Sequence, residues 1–128
     1  MDIPANLSYT EDHEWISNKT GTAKVGISAF AVEQLGDIVY VELPDIGSSF
    51  ATGEAFGTVE STKTVSDLNM PLAGKIIEIN QDIVDSPESL QEDSYRDGWL
   101  IKVEISSDEG ADSLMDSEAY EKFIKDNH

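Results

Sequence analysis

Short stretches with a period of two dominate this chain, and helical spacing shows at only a few places. His13–Ile16 and Thr22–Ile27 read as strands separated by a turn at Asn18–Gly21. Ser28 stands where it can cap a short helix running through Leu35, with Gly36 as its stop. Asp37–Leu43 then sets Val39, Val41 and Leu43 on one face of a half-buried strand that ends at Pro44. Gly53–Glu60 and Val65–Asn69 are β-prone and joined through Ser61-Thr62-Lys63-Thr64, and a turn from Pro71 to Gly74 precedes a strand over Lys75–Ile79. Residues 80–98 are polar, broken by Pro87 and Gly98, and read mostly as loop. Alternation resumes over Trp99–Ile105, with Leu100, Lys102 and Glu104 opposite Trp99, Ile101, Val103 and Ile105. In the tail, Leu114, Met115, Tyr120, Phe123 and Ile124 form the apolar stripe of a helix, with Asp112 or Ser113, and again Ser117, as candidate caps.

These elements predict a mainly β architecture, a small antiparallel core edged by short helices, built as a sandwich or flattened barrel. At 128 residues the chain has the size of one domain. Its core spans about residues 7–106 and a C-terminal helical segment about 108–127. Gly47 and Gly74 lie at similar distances on either side of Lys63, as if two halves met there, but the halves are too dissimilar to count as a repeat.

Composition narrows the function. The hydrophobic share of 39% is normal for a folded protein, and the chain has no cysteine, so disulfides and thiolate chemistry are excluded. Twenty-six acidic residues against eight basic ones give a net charge of −18 and a pI of about 4.1. Such a surface repels nucleic acid and anionic lipid and favours partners with basic docking faces, or simply keeps the protein soluble. No apolar run has the length of a membrane span, and the acidic start of the chain resembles neither a signal nor a transit peptide. The expectation is a monomer that stays in the compartment where it is made.

Enzymatic readings find little support. Of two histidines one is the last residue, which leaves His13 as the sole realistic imidazole base or ligand, and its plainer reading is a surface or edge-strand residue. There is no nucleophile elbow, phosphate loop or dinucleotide fingerprint, and the acidic runs around Asp82–Asp97 and Asp108–Asp116 lack calcium-loop spacing. Lys63 stands out by position alone. A lysine side chain holds its proton at neutral pH, so an enzyme that modifies one must select it by placement and remove that proton itself. A tight hairpin supplies placement, because the backbone is held while the side chain points away. Taken bare, a lysine in a polar turn is ordinary.

Five blocks in register carry a resemblance: Tyr9-Thr10-Glu11-Asp12-His13-Glu14-Trp15, Val25-Gly26-Ile27, Leu35 to Pro44, Val59 to Leu68, and Asp97-Gly98-Trp99-Leu100. Together they resemble the glycine cleavage H proteins. The resemblance implies a lipoyl/biotinyl-type barrel-sandwich hybrid, two small antiparallel sheets with a modified lysine on an exposed hairpin. Lys63 matches the lysine that bears lipoate in amide linkage, and Glu14 and Asp67 match positions of a pocket that shelters the arm. The implied role is that of a non-catalytic carrier. It would shuttle the aminomethyl group of glycine from a pyridoxal-phosphate glycine dehydrogenase (decarboxylating) to a tetrahydrofolate-dependent aminomethyltransferase, with dihydrolipoyl dehydrogenase and a lipoate-attaching enzyme as further partners. The implied location is the cytoplasm of a bacterium, or the mitochondrial matrix for a processed eukaryotic chain. The tip departs from the family's usual Val-Lys-Ala by reading Thr62-Lys63-Thr64, and Ser89-Leu90-Gln91 stands where Leu-Val-Asn is more common. The Met-Lys-Met of biotin carriers is absent. Alternatives are an H-like relay that passes lipoate to 2-oxoacid dehydrogenases, and an unmodified acidic β domain that binds a protein partner. Without the resemblance, Glu14 reads as an exposed strand acid and Asp67 as an acid flanking a turn.

Overall fold

A computed structural model describes residues 3–127, with side chains through residue 126. Among the described residues, nine strands form two antiparallel sheets. The larger takes β1 (Ser8–Tyr9), β2 (Glu14–Ile16), β3 (Thr22–Ile27), β5 (Ser49–Phe50), β8 (Gly74–Ile79) and β9 (Ile101–Ile105), in the order β1-β2-β3-β9-β8-β5. The smaller takes β4 (Ile38–Glu42), β6 (Ala55–Ser61) and β7 (Val65–Asn69), in the order β4-β6-β7. Helices α1 (Ala29–Leu35), α2 (Gln81–Asp85), α3 (Ser89–Glu92) and α4 (Ser117–Asn127) lie between or after the strands. This is the mainly β class expected from the pattern, with two sheets and a C-terminal helix.

The core lies between the sheets. Val25, Ile27, Ile76, Ile101 and Val103 from the larger sheet join Val41, Val59 and Leu68 from the smaller in one buried cluster. Each such side chain contributes about 1.5–3 kcal/mol by leaving water. A second cluster gathers Tyr9, Trp15 and Tyr120, with Tyr95, Met115, Phe123 and Ile124 against it, and fastens α4 to β1 and β2. Gly57 lets β6 pass close to β4, because a Cβ there would collide with the Glu42 carbonyl.

Local chemistry accounts for the first helix. Ser28 Oγ accepts from the Ala31 amide at 3.1 Å, and Gly36 ends α1 at φ +83°, a left-handed geometry that glycine adopts without steric cost. Four expectations need correction. His13 is not in a strand: its φ of +70° makes it a left-handed turn residue, and pairing starts at Glu14. Val39 is half exposed, because a bulge between Ile38 and Tyr40 resets the alternation so that Ile38 shares the buried side with Val41. The polar stretch 80–98 holds α2 and α3, whose buried Ile83 and Leu90 anchor them to the core although their sequences are largely hydrophilic. In the tail, α4 begins at Ser117 and is capped by Asp116, whose Oδ1 accepts from the Ala119 amide at 2.8 Å. Leu114 and Met115 precede it, and Met115 forms a bridge with Tyr9 instead.

Candidate lysine site and adjoining pocket

The smaller sheet displays its β6–β7 hairpin outward. Glu60 pairs with Val65, and residues 61–64 make the bend. Ser61 organises that bend. Its amide donates to the Thr64 carbonyl at 2.8 Å, and its hydroxyl accepts from the amides of Lys63 and Thr64, both at 3.2 Å. The Thr62 amide donates to the Asp37 carbonyl at 3.0 Å, tying the tip to the loop after α1. Ser61 is buried while Thr62, Lys63 and Thr64 are exposed. The backbone is therefore held from inside and the lysine is presented outside. The Lys63 side chain runs across Gly36, where an added Cβ would lie 3.3 Å from Cε and 3.6 Å from Nζ.

Beside α1, a cavity of about 140 Å³ opens between the turn before β2, the helix and the β7 edge. Its apolar surface comes from Ile27, Ala31, Leu35, Val59 and Leu68; its polar groups are Asp12, His13, Glu14, Gln34, Ser66 and Asp67. Lys63 is not part of this lining, but it leans on Gly36, the residue after Leu35. Larger hollows occur elsewhere, among them one of about 410 Å³ near Pro4 and Arg96. None of Lys63, Glu14 and Asp67 lines that hollow.

Glu14 is the unusual group. It is only 2% exposed, so its reading as an exposed strand acid is wrong. Thr10 Oγ1 donates to its Oε1 at 2.8 Å and the Asn69 amide donates to its Oε2 at 3.2 Å. Burial pushes its pKa from 4.5 up to about 8, against the lowering effect of those two hydrogen bonds, and the neighbouring Asp12 adds a further rise. At neutral pH Glu14 is therefore largely protonated. Asp67 faces solvent on β7 at the rim of the same cavity. Acids around an apolar floor suit a small cation on an apolar stem, since entry of a positive charge would favour ionisation of Glu14.

The chain matches the glycine cleavage H-protein family over residues 7–127. The chain belongs to that family. It is 49% identical over 126 residues to the glycine cleavage system H protein of Anaeromyxobacter sp. (strain K), covering 98% of each chain. It is 45% identical to that of Oceanobacillus iheyensis, covering 98% of this chain and all of the relative. The crystal structure of the Mycobacterium marinum H protein superposes with a TM-score of 0.83 at 40% identity, covering 98% of both chains. Membership carries the family's role, the lipoyl carrier of the glycine cleavage system. The relay and binding-domain alternatives are not favoured.

Several residues that matter here were invisible to sequence reasoning. Thr10 and Asn69 are plain polar residues whose partner, Glu14, lies 4 and 55 positions away. Gln91, in the stretch read as loop, accepts from the Ile38 amide at 3.3 Å and steadies the start of β4. Ser61 did carry a signal, since serine is favoured in turns for its backbone hydrogen bonds.

Proposed function

We propose that Lys63 is the lipoylated residue of this carrier, and that the cavity bearing Glu14 and Asp67 shelters its aminomethyl cargo between partner enzymes. The observation that carries this reading is the exposure of Lys63 on a bend whose backbone is fixed at Ser61 and Asp37. Lipoate in amide linkage would supply the disulfide that takes up and releases the aminomethyl group. The residues present suit that group: an accessible primary amine, a glycine beneath it that leaves room, and a nearby apolar cavity edged by carboxyls.

The chain's own part is to hold, present and shelter. Tethering keeps the cargo at high effective concentration near each active site on which the carrier docks. Glu14 would enter this cycle protonated, and an arriving ammonium would favour loss of its proton to solvent. A carboxylate about 4 Å from an ammonium gains roughly 1 kcal/mol in bulk water and roughly 4 kcal/mol at a partly sheltered site. The buried Glu14 therefore supplies most of the attraction, and the exposed Asp67 adds a weaker, salt-sensitive share.

On this reading the chain is one lipoyl-carrier domain, monomeric and non-catalytic. Its partners are the pyridoxal-phosphate glycine dehydrogenase, the aminomethyltransferase, dihydrolipoyl dehydrogenase and a lipoate-attaching enzyme. The bacterial relatives support a bacterial cytoplasmic location, and no helix among the described residues is long and apolar enough to cross a membrane. Intact mass after expression in a lipoate-supplied host is the test. The wild-type chain should gain one lipoyl group and Lys63→Arg none; a lipoylated Lys63→Arg protein would refute the assignment. Glu14→Ala and Asp67→Ala should lipoylate normally yet lose the loaded aminomethyl group faster. Unchanged loss in both would remove the sheltering role.

A further inference from the structure

The C-terminal helix reaches the pocket residue His13 through the rings of Tyr120 and Phe123, and of these Tyr120 also reaches Ser28. Tyr120 on α4 is fully buried, and its ring stacks on Tyr9 with centroids 4.5 Å apart and planes 1° from parallel. Its hydroxyl lies 2.8 Å from His13 Nδ1 and 2.6 Å from Ser28 Oγ. One of those partners lines the cavity, and the other stands at the start of the helix that forms another of its walls. His13 is the left-handed residue immediately before Glu14 and itself lines the cavity. Ser28 caps α1, which supplies the facing wall.

We infer that Tyr120 is a positioning residue for the pocket, its hydroxyl clamping the His13 turn to the start of α1 and so holding Glu14 away from water. The bearing of this clamp on the cargo rests on the sheltering role proposed above; the clamp itself does not.

Three observations point the same way. His13 is the only non-glycine described residue with positive φ, a conformation that costs about 1–2 kcal/mol for most L residues and so requires surroundings that enforce it. A backbone bond from the Ser28 amide to the His13 carbonyl, 2.9 Å, closes the same junction from the other side. The clamp also lies electrically close to the acid. Burial pushes the Tyr120 hydroxyl up to about 12 against the lowering effect of its bond to Ser28, and the charges of Tyr95 and Glu14 add to the rise. Either order of donation satisfies all three groups, Ser28 to Tyr120 to Nδ1 or an Nδ1–H to Tyr120 to Ser28, and in both Ser28 Oγ still accepts from the Ala31 amide.

The test compares two single hydroxyl deletions in the full-length, unmodified chain. Tyr120→Phe removes the clamp and leaves the ring stack. Tyr9→Phe removes the other hydroxyl of the same stack, which donates to the Pro4 carbonyl at 2.7 Å, and Tyr9 is not part of the pocket lining. The readout is the titration of the Glu14 carboxyl carbon by NMR. With the clamp gone, water relieves part of the burial cost, and the Glu14 midpoint should fall by about one pH unit or more, a tenfold change in proton affinity. In Tyr9→Phe it should stay at the wild-type value. A folded Tyr120→Phe protein with an unshifted Glu14 midpoint overturns the inference, as does an equal shift in Tyr9→Phe.

A second measurement needs no variant. In the wild-type chain the Tyr120 hydroxyl proton should exchange slowly and show contacts to both His13 and Ser28, and rapid exchange with solvent overturns the clamp. Loaded protein then separates the two readings. A fallen midpoint with unchanged loss of the aminomethyl group supports the clamp and refutes the shelter, whereas an unshifted midpoint refutes the clamp whatever the rate of loss.

Discussion

Glu14→Gln preserves the size of a buried side chain and removes its ability to ionise, so it isolates what the acid costs the fold. In the folded chain Glu14 keeps its proton up to about pH 8, whereas in the unfolded chain it releases it near 4.5. Between those values the folded state binds the extra proton, and the stability of the wild-type chain falls as pH rises; below 4.5 the cost is absent and above 8 it is complete. At about 1.4 kcal/mol for each pH unit, the whole window corresponds to about 5 kcal/mol. The lower end of that window approaches the pI of about 4.1, where loss of net charge promotes association. Urea unfolding is therefore best compared at pH 5.5 and pH 9, between which about 3 kcal/mol of the effect should fall. The 25 other acids are common to both proteins, so their contributions cancel when variant and wild type are compared at each pH. Glutamine should stabilise the chain relative to glutamate by about 3 kcal/mol more at pH 9 than at pH 5.5. An advantage for glutamine that is the same at both pH values would mean that Glu14 is not held neutral by burial, and the account of the pocket given above would fail.

Two further substitutions probe the lysine's setting. Gly36→Ala forces an L side chain to φ +83° and into the space that Lys63 crosses. Thermal unfolding should show a loss of about 1–2 kcal/mol, and an in vitro lipoylation assay should show slower attachment. Ser61→Ala leaves the amides of Lys63 and Thr64 without their acceptor, at a local cost of about 1–3 kcal/mol. Hydrogen exchange at residues 63 and 64 should speed up and the kcat/KM of lipoylation should fall, with the melting of the remainder little changed.

How much of this was legible in the chain differs from element to element. Ser28 and Gly36 bracket α1 as expected, because capping and left-handed termination depend on residues within a few positions of each other. β3 and β7 have the predicted limits, since a period of two facing a buried core is a local pattern. The place of Lys63 was equally readable: a polar bend between β-prone runs, matched in register to a family. The bulge that turns Val39 outward was not, because it arises from pairing with β6, and the single strand's alternation gave no hint of it. The helices within 80–98 have no local signature for a related reason, each being held by one buried residue, Ile83 or Leu90.

By itself, the amino-acid sequence determined the fold class, the acidic net charge and the place of Lys63 on a bend between strands, all of which follow from local periodicity, composition or matched motifs. Only the tertiary structure decided the chemistry of the pocket. Whether a carboxyl is charged depends on how much water reaches it and on which donors lie nearby. For Glu14 those are Thr10 and the Asn69 amide, while the wall beside it is tied by Tyr120, 106 positions further along the chain. Burial and long-range hydrogen bonds are properties of the assembled molecule, and no window of sequence contains them.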